Sequence, residues 1–150
     1  MVDQEIIYDG KTITVYSKSV EFYATAMSPP TIKETLDYLI EKHDMVTPGS
    51  DLLDKDVYDR LMEDTMSGFY VGESLVDGVR CHHLAFRGKE VDWQTWVQAG
   101  DKLLPWKYVI TSKWITCSLQ YILRISNWDI STDLPDKVFE FKPPKEWRSK

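Results

Sequence analysis

Phe69-Tyr70-Val71-Gly72, then Asp77-Gly78, then Val79-Arg80-Cys81-His82-His83-Leu84-Ala85-Phe86 is the stretch that decides the fold class. Asp-Gly between β-branched and aromatic residues marks a tight hairpin, because a type I′ turn needs positive φ at both central positions. The signal recurs where Asp9-Gly10 separates Glu5-Ile6-Ile7-Tyr8 from Lys11-Thr12-Ile13-Thr14-Val15-Tyr16. Further turns fall at Ser17-Lys18-Ser19, Arg87-Gly88-Lys89 and Ala99-Gly100-Asp101. Strands are expected near 3–8, 11–16, 21–26, 68–76, 79–87, 91–98, 105–113, 119–128 and 138–142. The chain reads mostly as an antiparallel meander.

One stretch interrupts it. After Pro29-Pro30, Thr31 and Glu34 have the spacing of a capping box, and Ile32, Leu36, Leu39 and Ile40 follow at helical spacing. A second helix is expected from Ser50 to Asp64, with Leu53, Val57 and Leu61 in one stripe. Both helices should lie on one face of the sheet. The fold class is therefore α+β, with two helices inserted between strands three and four.

The 150 residues favour one domain, and 43% hydrophobic with 28% charged residues is an ordinary globular composition. No apolar run is long enough to cross a bilayer, and Met1-Val2-Asp3-Gln4-Glu5 has neither the basic nor the apolar part of a secretory signal. Residues 1–75 carry six Lys/Arg against fifteen Asp/Glu, whereas residues 76–150 carry twelve against nine. A net charge of −6 with scattered lysines excludes the clustered basic face that a nucleic acid partner needs.

The strings Tyr8-Asp-Gly-Lys-Thr12, Val76-Asp-Gly-Val-Arg-Cys-His-His-Leu-Ala-Phe86, Val91-Asp-Trp-Gln-Thr-Trp-Val97 and Leu134-Pro-Asp-Lys-Val-Phe-Glu-Phe-Lys-Pro-Pro144 resemble a family of predicted periplasmic proteins of unknown function, over nearly the whole chain. That family is similar in fold to the lipoprotein carriers LolA and LolB. The resemblance implies a curved antiparallel sheet, a LolA-like half-barrel with an apolar concavity, spanning residues 1–150 as a single domain. It also implies a periplasmic location. Family members carry an N-terminal helix and further strands before the Tyr-Asp-Gly-Lys-Thr hairpin, and these are expected to be missing here.

Motifs for chemistry are sparse. His82 and His83 sit next to each other on a strand, so their imidazoles point to opposite faces and cannot chelate one ion together. A turn at Gly88-Lys89 would put His82 opposite Trp96 and His83 opposite Thr95. The acids Asp51, Asp54, Asp56 and Asp59 fail the EF-hand pattern, because Tyr58 and Asp59 occupy the places of the oxygen ligand and the glycine. There is no nucleophile elbow, P-loop, dinucleotide fingerprint or His-Glu-x-x-His. No catalytic residue, metal or cofactor is expected. Cys81 and Cys117 are expected not to pair: turns near residues 89, 102 and 116 would separate them by eight residues of strand. That is roughly 26 Å at about 3.3 Å per residue, well past the reach of a disulfide.

The aromatic content is the most informative feature, with all six tryptophans between Trp93 and Trp147. Folding the strands about those turns places Leu84, Phe86, Trp96, Tyr108, Ile110 and Ile122 on one face. Val79, Cys81, Ala85, Val91, Trp93, Val97, Val109, Leu123 and Ile125 fall on the other. Two readings stay open, a core plus an interface or an apolar ligand groove. The family resemblance favours a non-enzymatic carrier of a lipid, a lipoprotein acyl chain or another amphiphile, with those six residues lining the site. The alternative is a protein-interaction module using an exposed sheet face or edge, and a hydrolase is a weaker third. A homodimer is expected through the edge carrying Ile6, Ile7, Ile13 and Val15, beside Lys11, Lys18 and Glu21.

Overall fold

The Asp77-Gly78 turn has positive φ at both residues, 49° and 82°, and closes β4 (Thr65–Val76) onto β5 (Val79–Gly88) in the expected type I′ hairpin. The Asp9-Gly10 turn differs. Between β1 (Glu5–Tyr8) and β2 (Thr12–Ser17) only Gly10 has positive φ, and the last strand pair is Tyr8 with Ile13. The Asp9 carboxylate accepts the backbone N–H groups of Lys11 and Thr12 at 2.9 and 2.6 Å, so a wider side-chain-capped loop replaces the tight turn.

The computed structural model describes residues 3–45, 48–114, 119–131 and 133–149. The chain divides into two compact units, Met1–Val46 with Ser131–Lys150, and Thr47–Ile130. In the first, β1 and β2 pair antiparallel with β3 (Phe22–Met27), and a two-residue β9 (Arg148–Ser149) pairs parallel with β3. Helix α1 (Ile32–His43) starts at Thr31, whose hydroxyl oxygen accepts the Glu34 N–H at 3.2 Å and whose proton goes to the Glu34 carboxylate at 2.7 Å. Asp44 ends it in the left-handed region, donating its N–H to the Ile40 carbonyl. Leu39 and Thr35 are buried while Ile40 is exposed, so the covered stripe is narrower than the pattern implied.

The second unit holds an antiparallel sheet in the order β4, β5, β6 (Val91–Gln98), β7 (Pro105–Ser112) and β8 (Gln120–Arg124). The expected helix over Ser50–Asp64 is split into a 3-10 turn at Ser50–Leu53 and a short α2 at Val57–Met62. Asp54 is extended between them, and its carboxylate accepts the Asp56 N–H at 3.0 Å, a local alternative to helical hydrogen bonding. Leu53 is consequently exposed and no continuous Leu53/Val57/Leu61 stripe forms. Helix α1 belongs to the first unit, and the 3-10 turn and α2 belong to the second. The architecture is α+β and dominated by antiparallel sheet. Two sheets stand where one was expected, and no strand pairing among the described residues joins them.

Two further expectations are corrected. Residues 138–142 form no strand: a 3-10 turn spans Asp136–Phe139 after Pro135, with Pro143 and Pro144 beyond it. The register of the second sheet is also one residue from the expected one. β5 and β6 are joined by a two-residue loop, Lys89-Glu90, so His82 pairs with Val97 and His83 with Trp96. A slip of one residue reverses the face of every side chain on the neighbouring strand. Cys81 is a free cysteine, fully buried with Val76, Trp96 and Val109, and its burial pushes the thiol pKa up. Cys117 lies outside the described residues.

Candidate functional site

The pairing of the second sheet builds an aromatic face. Leu84 pairs with Thr95 and Thr95 with Tyr108; Phe86 pairs with Trp93 and Trp93 with Ile110. Cross-strand partners share a face, so Leu84, Phe86, Tyr108 and Ile110 are brought together as expected, joined by Trp93 and Leu123. Trp96 and Ile122 are not part of it. Trp96 pairs with His83 and Lys107 and Ile122 with Val109, which puts both on the opposite face. The physical reason is a one-residue register shift, in the β5–β6 pairing for Trp96 and in the β7–β8 pairing for Ile122, which also moves Trp93 and Leu123 onto the Tyr108 side.

Phe86 and Trp93 stack at 3.9 Å between ring centroids, and Trp93 meets Tyr108 edge-on at 5.9 Å. Gly68, paired with Phe86, permits that stack: a Cβ there would lie 2.5 Å from the Phe86 ring. Trp93 Nε1 donates to Thr65 Oγ1 at 3.1 Å, and that hydroxyl donates to the Leu61 carbonyl at 2.8 Å, which ties the indole to the end of α2. Gly49 sits over Tyr108, Tyr121 and Leu123 with no room to spare, so the chain entering the 3-10 turn lies on this same face.

Between the 3-10 turn, α2 and the sheet is a cavity of about 320 Å³. Trp93, Tyr108, Val91 and Leu61 give it apolar walls; Asp51, Arg60, Glu63 and Asp64 give it a charged rim. Arg60 lies 3.8 Å from Asp51, and Lys89 lies 3.4 Å from Asp64. Tyr108 is 2% exposed; burial first, and the Asp51 charge second, push its hydroxyl pKa well above the usual value, so it stays a neutral phenol. Only Tyr108 of the six residues named from the sequence lines this cavity. The rim was missed because it comes from a helix that the sequence pattern made too long.

Both strand histidines are engaged by neighbouring side chains. His83 stacks on Trp96 at 4.0 Å and its Nε2 lies 2.8 Å from Gln94 Oε1, while His82 Nδ1 lies 3.1 Å from the Tyr70 hydroxyl. Among the described residues no group of three His, Cys, Asp or Glu side chains is arranged to hold a metal ion. The first unit has a cleft of its own, about 310 Å³, where residues 139–143 pass beside Ile7, Thr14, Tyr23 and Thr25. Phe141 there packs against Tyr16 and Tyr23, at 4.9 and 5.3 Å. The edge expected to dimerise offers less apolar surface than its sequence suggested, because Ile13 is buried and Glu5 pairs with Lys18 at 2.7 Å beside the exposed Ile6.

The model of a family described as predicted periplasmic protein (DUF2092) matches residues 1–149. No curated protein matches the chain. None of the described helices is long and apolar enough to cross a membrane.

Proposed function

We propose, from the premise that this chain belongs to that family of predicted periplasmic proteins, that it binds a small amphiphile in the bacterial envelope without transforming it. The observation that carries this reading is the half-open Trp93–Tyr108 cleft, in which Leu61, Val91 and two aromatic rings form the apolar part of a lining that is otherwise polar and charged, a place for a short alkyl chain with its head at the mouth. A volume of about 320 Å³ suits a single chain, such as a free lipid tail or one acyl chain of a lipoprotein, better than a whole diacyl lipid. The carrier-like half-barrel expected from the sequence belongs to the same proposal, and what supports it is an antiparallel sheet whose aromatic face is overlaid by its own helical segment.

Native mass spectrometry of protein purified from a periplasmic extract tests the reading. A co-purified amphiphile, released on denaturation and absent from a Leu61→Trp variant that fills the cavity, is the expected result. An empty chain that also fails to bind fluorescent alkyl probes overturns it.

A second reading, an interaction module that pairs with a copy of itself, is favoured by one observation. β4 is a twelve-residue edge strand whose Met66, Phe69, Tyr70, Val71 and Leu75 are all exposed.

A further inference from the structure

His82 stands beside two oxygen donors that a regular strand would not bring to one face. Residues three apart on a strand point to opposite faces, so Tyr70 and Glu73 should be separated by the sheet. The pairing of β4 with β5 is irregular between Tyr70 and Gly72, where one extra residue enters β4 and Gly72 takes a φ of 141°. Glu73 is consequently the direct cross-strand partner of His82, while Tyr70, paired with Leu84, lies on that same face. The Tyr70 hydroxyl is 3.1 Å from His82 Nδ1, and Glu73 Oε1 is 3.8 Å from the same nitrogen.

We propose that Tyr70, Glu73 and His82 form a surface site for a divalent transition-metal ion of the zinc and copper class. The site is separate from the amphiphile cleft and does not depend on it. A single ring nitrogen carries one proton or one lone pair, so it serves only one of the two oxygens aimed at it. A cation among the three is coordinated by all of them. Ligand atoms about 2.1 Å from a tetrahedral ion stand about 3.4 Å from one another, and the two separations here lie on either side of that value. The imidazole favours zinc or copper over calcium and magnesium, which take oxygen ligands. Arg80 Nε lies 3.8 Å from Glu73 Oε2, which leaves Oε1 turned toward His82. The same guanidinium opposes a second cation, and a phenol is a weak donor, so affinity belongs in the micromolar range. Side chains 47% exposed at Glu73 and 38% exposed at His82 leave the ion a path in from solvent.

Calorimetric titration of the tag-free, chelator-washed chain with copper(II), zinc and calcium at neutral pH tests this, with electron paramagnetic resonance of the copper form. One equivalent of copper should bind in the micromolar range, zinc more weakly and calcium not at all. The copper spectrum should show nitrogen coordination that His82→Ala removes, whereas His43→Ala, on α1, should change nothing. Glu73→Gln should weaken binding about tenfold or more, and Tyr70→Phe a few-fold. Circular dichroism should find each of these variants folded, because all three positions are at least partly exposed. Copper binding that survives His82→Ala places the ion elsewhere and overturns the proposal. Binding that depends on His82 but is indifferent to Glu73→Gln and Tyr70→Phe reduces to a lone surface histidine and overturns it equally. So does a chain that binds neither copper nor zinc below millimolar concentration.

Discussion

Gly68 and Asp9 are the two residues where a single atom decides local structure. At Gly68 the absent Cβ is what lets the Phe86 ring lie flat against Trp93, since a methyl group would stand 2.5 Å from that ring. Gly68→Ala should therefore cost about 1–3 kcal/mol in urea melts, the usual range for overpacking. An unchanged midpoint would mean that the ring slides freely and the aromatic face is not fixed. At Asp9 the hydrogen bonds from the Thr12 and Lys11 amides hold the carboxyl below its ordinary value of 3.8. The ionised form is the one favoured by folding, so its contribution is complete above that value and is lost as pH falls through the lower folded pKa. The difference in urea midpoint between the native chain and Asp9→Ala should be constant between about pH 5 and 7 and shrink below about pH 4. A difference that persists undiminished in acid would remove the carboxylate from the account.

At the scale of elements, α1 offers a contrast within one turn of helix. Leu39 is 6% exposed and its neighbour Ile40 is 41% exposed. Leu39→Ala should cost about 2–5 kcal/mol, whereas Ile40→Ala should stay within about 1 kcal/mol of the native chain. Equal losses in chemical denaturation would show that the helix is not seated on its Leu39 side. The same elements show what the sequence made legible. Eight strands, the Thr31 cap and the Asp77-Gly78 hairpin were readable because each depends on residues within a few positions of one another. The composition of the aromatic face was readable in part: Leu84, Phe86, Tyr108 and Ile110 keep the same parity in either register. Trp96 was misplaced because a loop of two residues at Lys89-Glu90, rather than a turn centred on Lys89, shifts the β5–β6 pairing by one, and Ile122 because the β7–β8 pairing sets Tyr121, not Ile122, opposite Ile110. The break at Asp54 and the parallel strand at Arg148–Ser149 were not readable at all. The first rests on a side chain taking a backbone amide, and the second on a pairing with Phe22 and Tyr23 across most of the chain.

At the scale of the whole molecule, the question is which surface is left for another chain. The family match supplies a compartment and no partner, and the −6 net charge disfavours polyanions. Edge strands are then the informative surfaces. β1 is only four residues long and flanked by the Glu5–Lys18 pair, two of the devices that discourage edge-to-edge pairing. β4 is three times longer and carries one charge, Glu73, along its length. Its pairing with β5 is irregular at Met66 and Val71, which blunts the first part of the edge and leaves residues 72–76 in regular register. Antiparallel pairing of that regular stretch with its own copy is the simplest closed arrangement, because one two-fold axis satisfies both chains. Leu75, 72% exposed, would then be covered by the partner strand's surface. Light scattering behind size exclusion should show a mass that rises with concentration in the micromolar range, and Leu75→Lys should return it to the monomer by placing a charge on the edge. A single species near 17.5 kDa at every concentration would leave β4 protected by its irregularities alone and defeat the self-association reading.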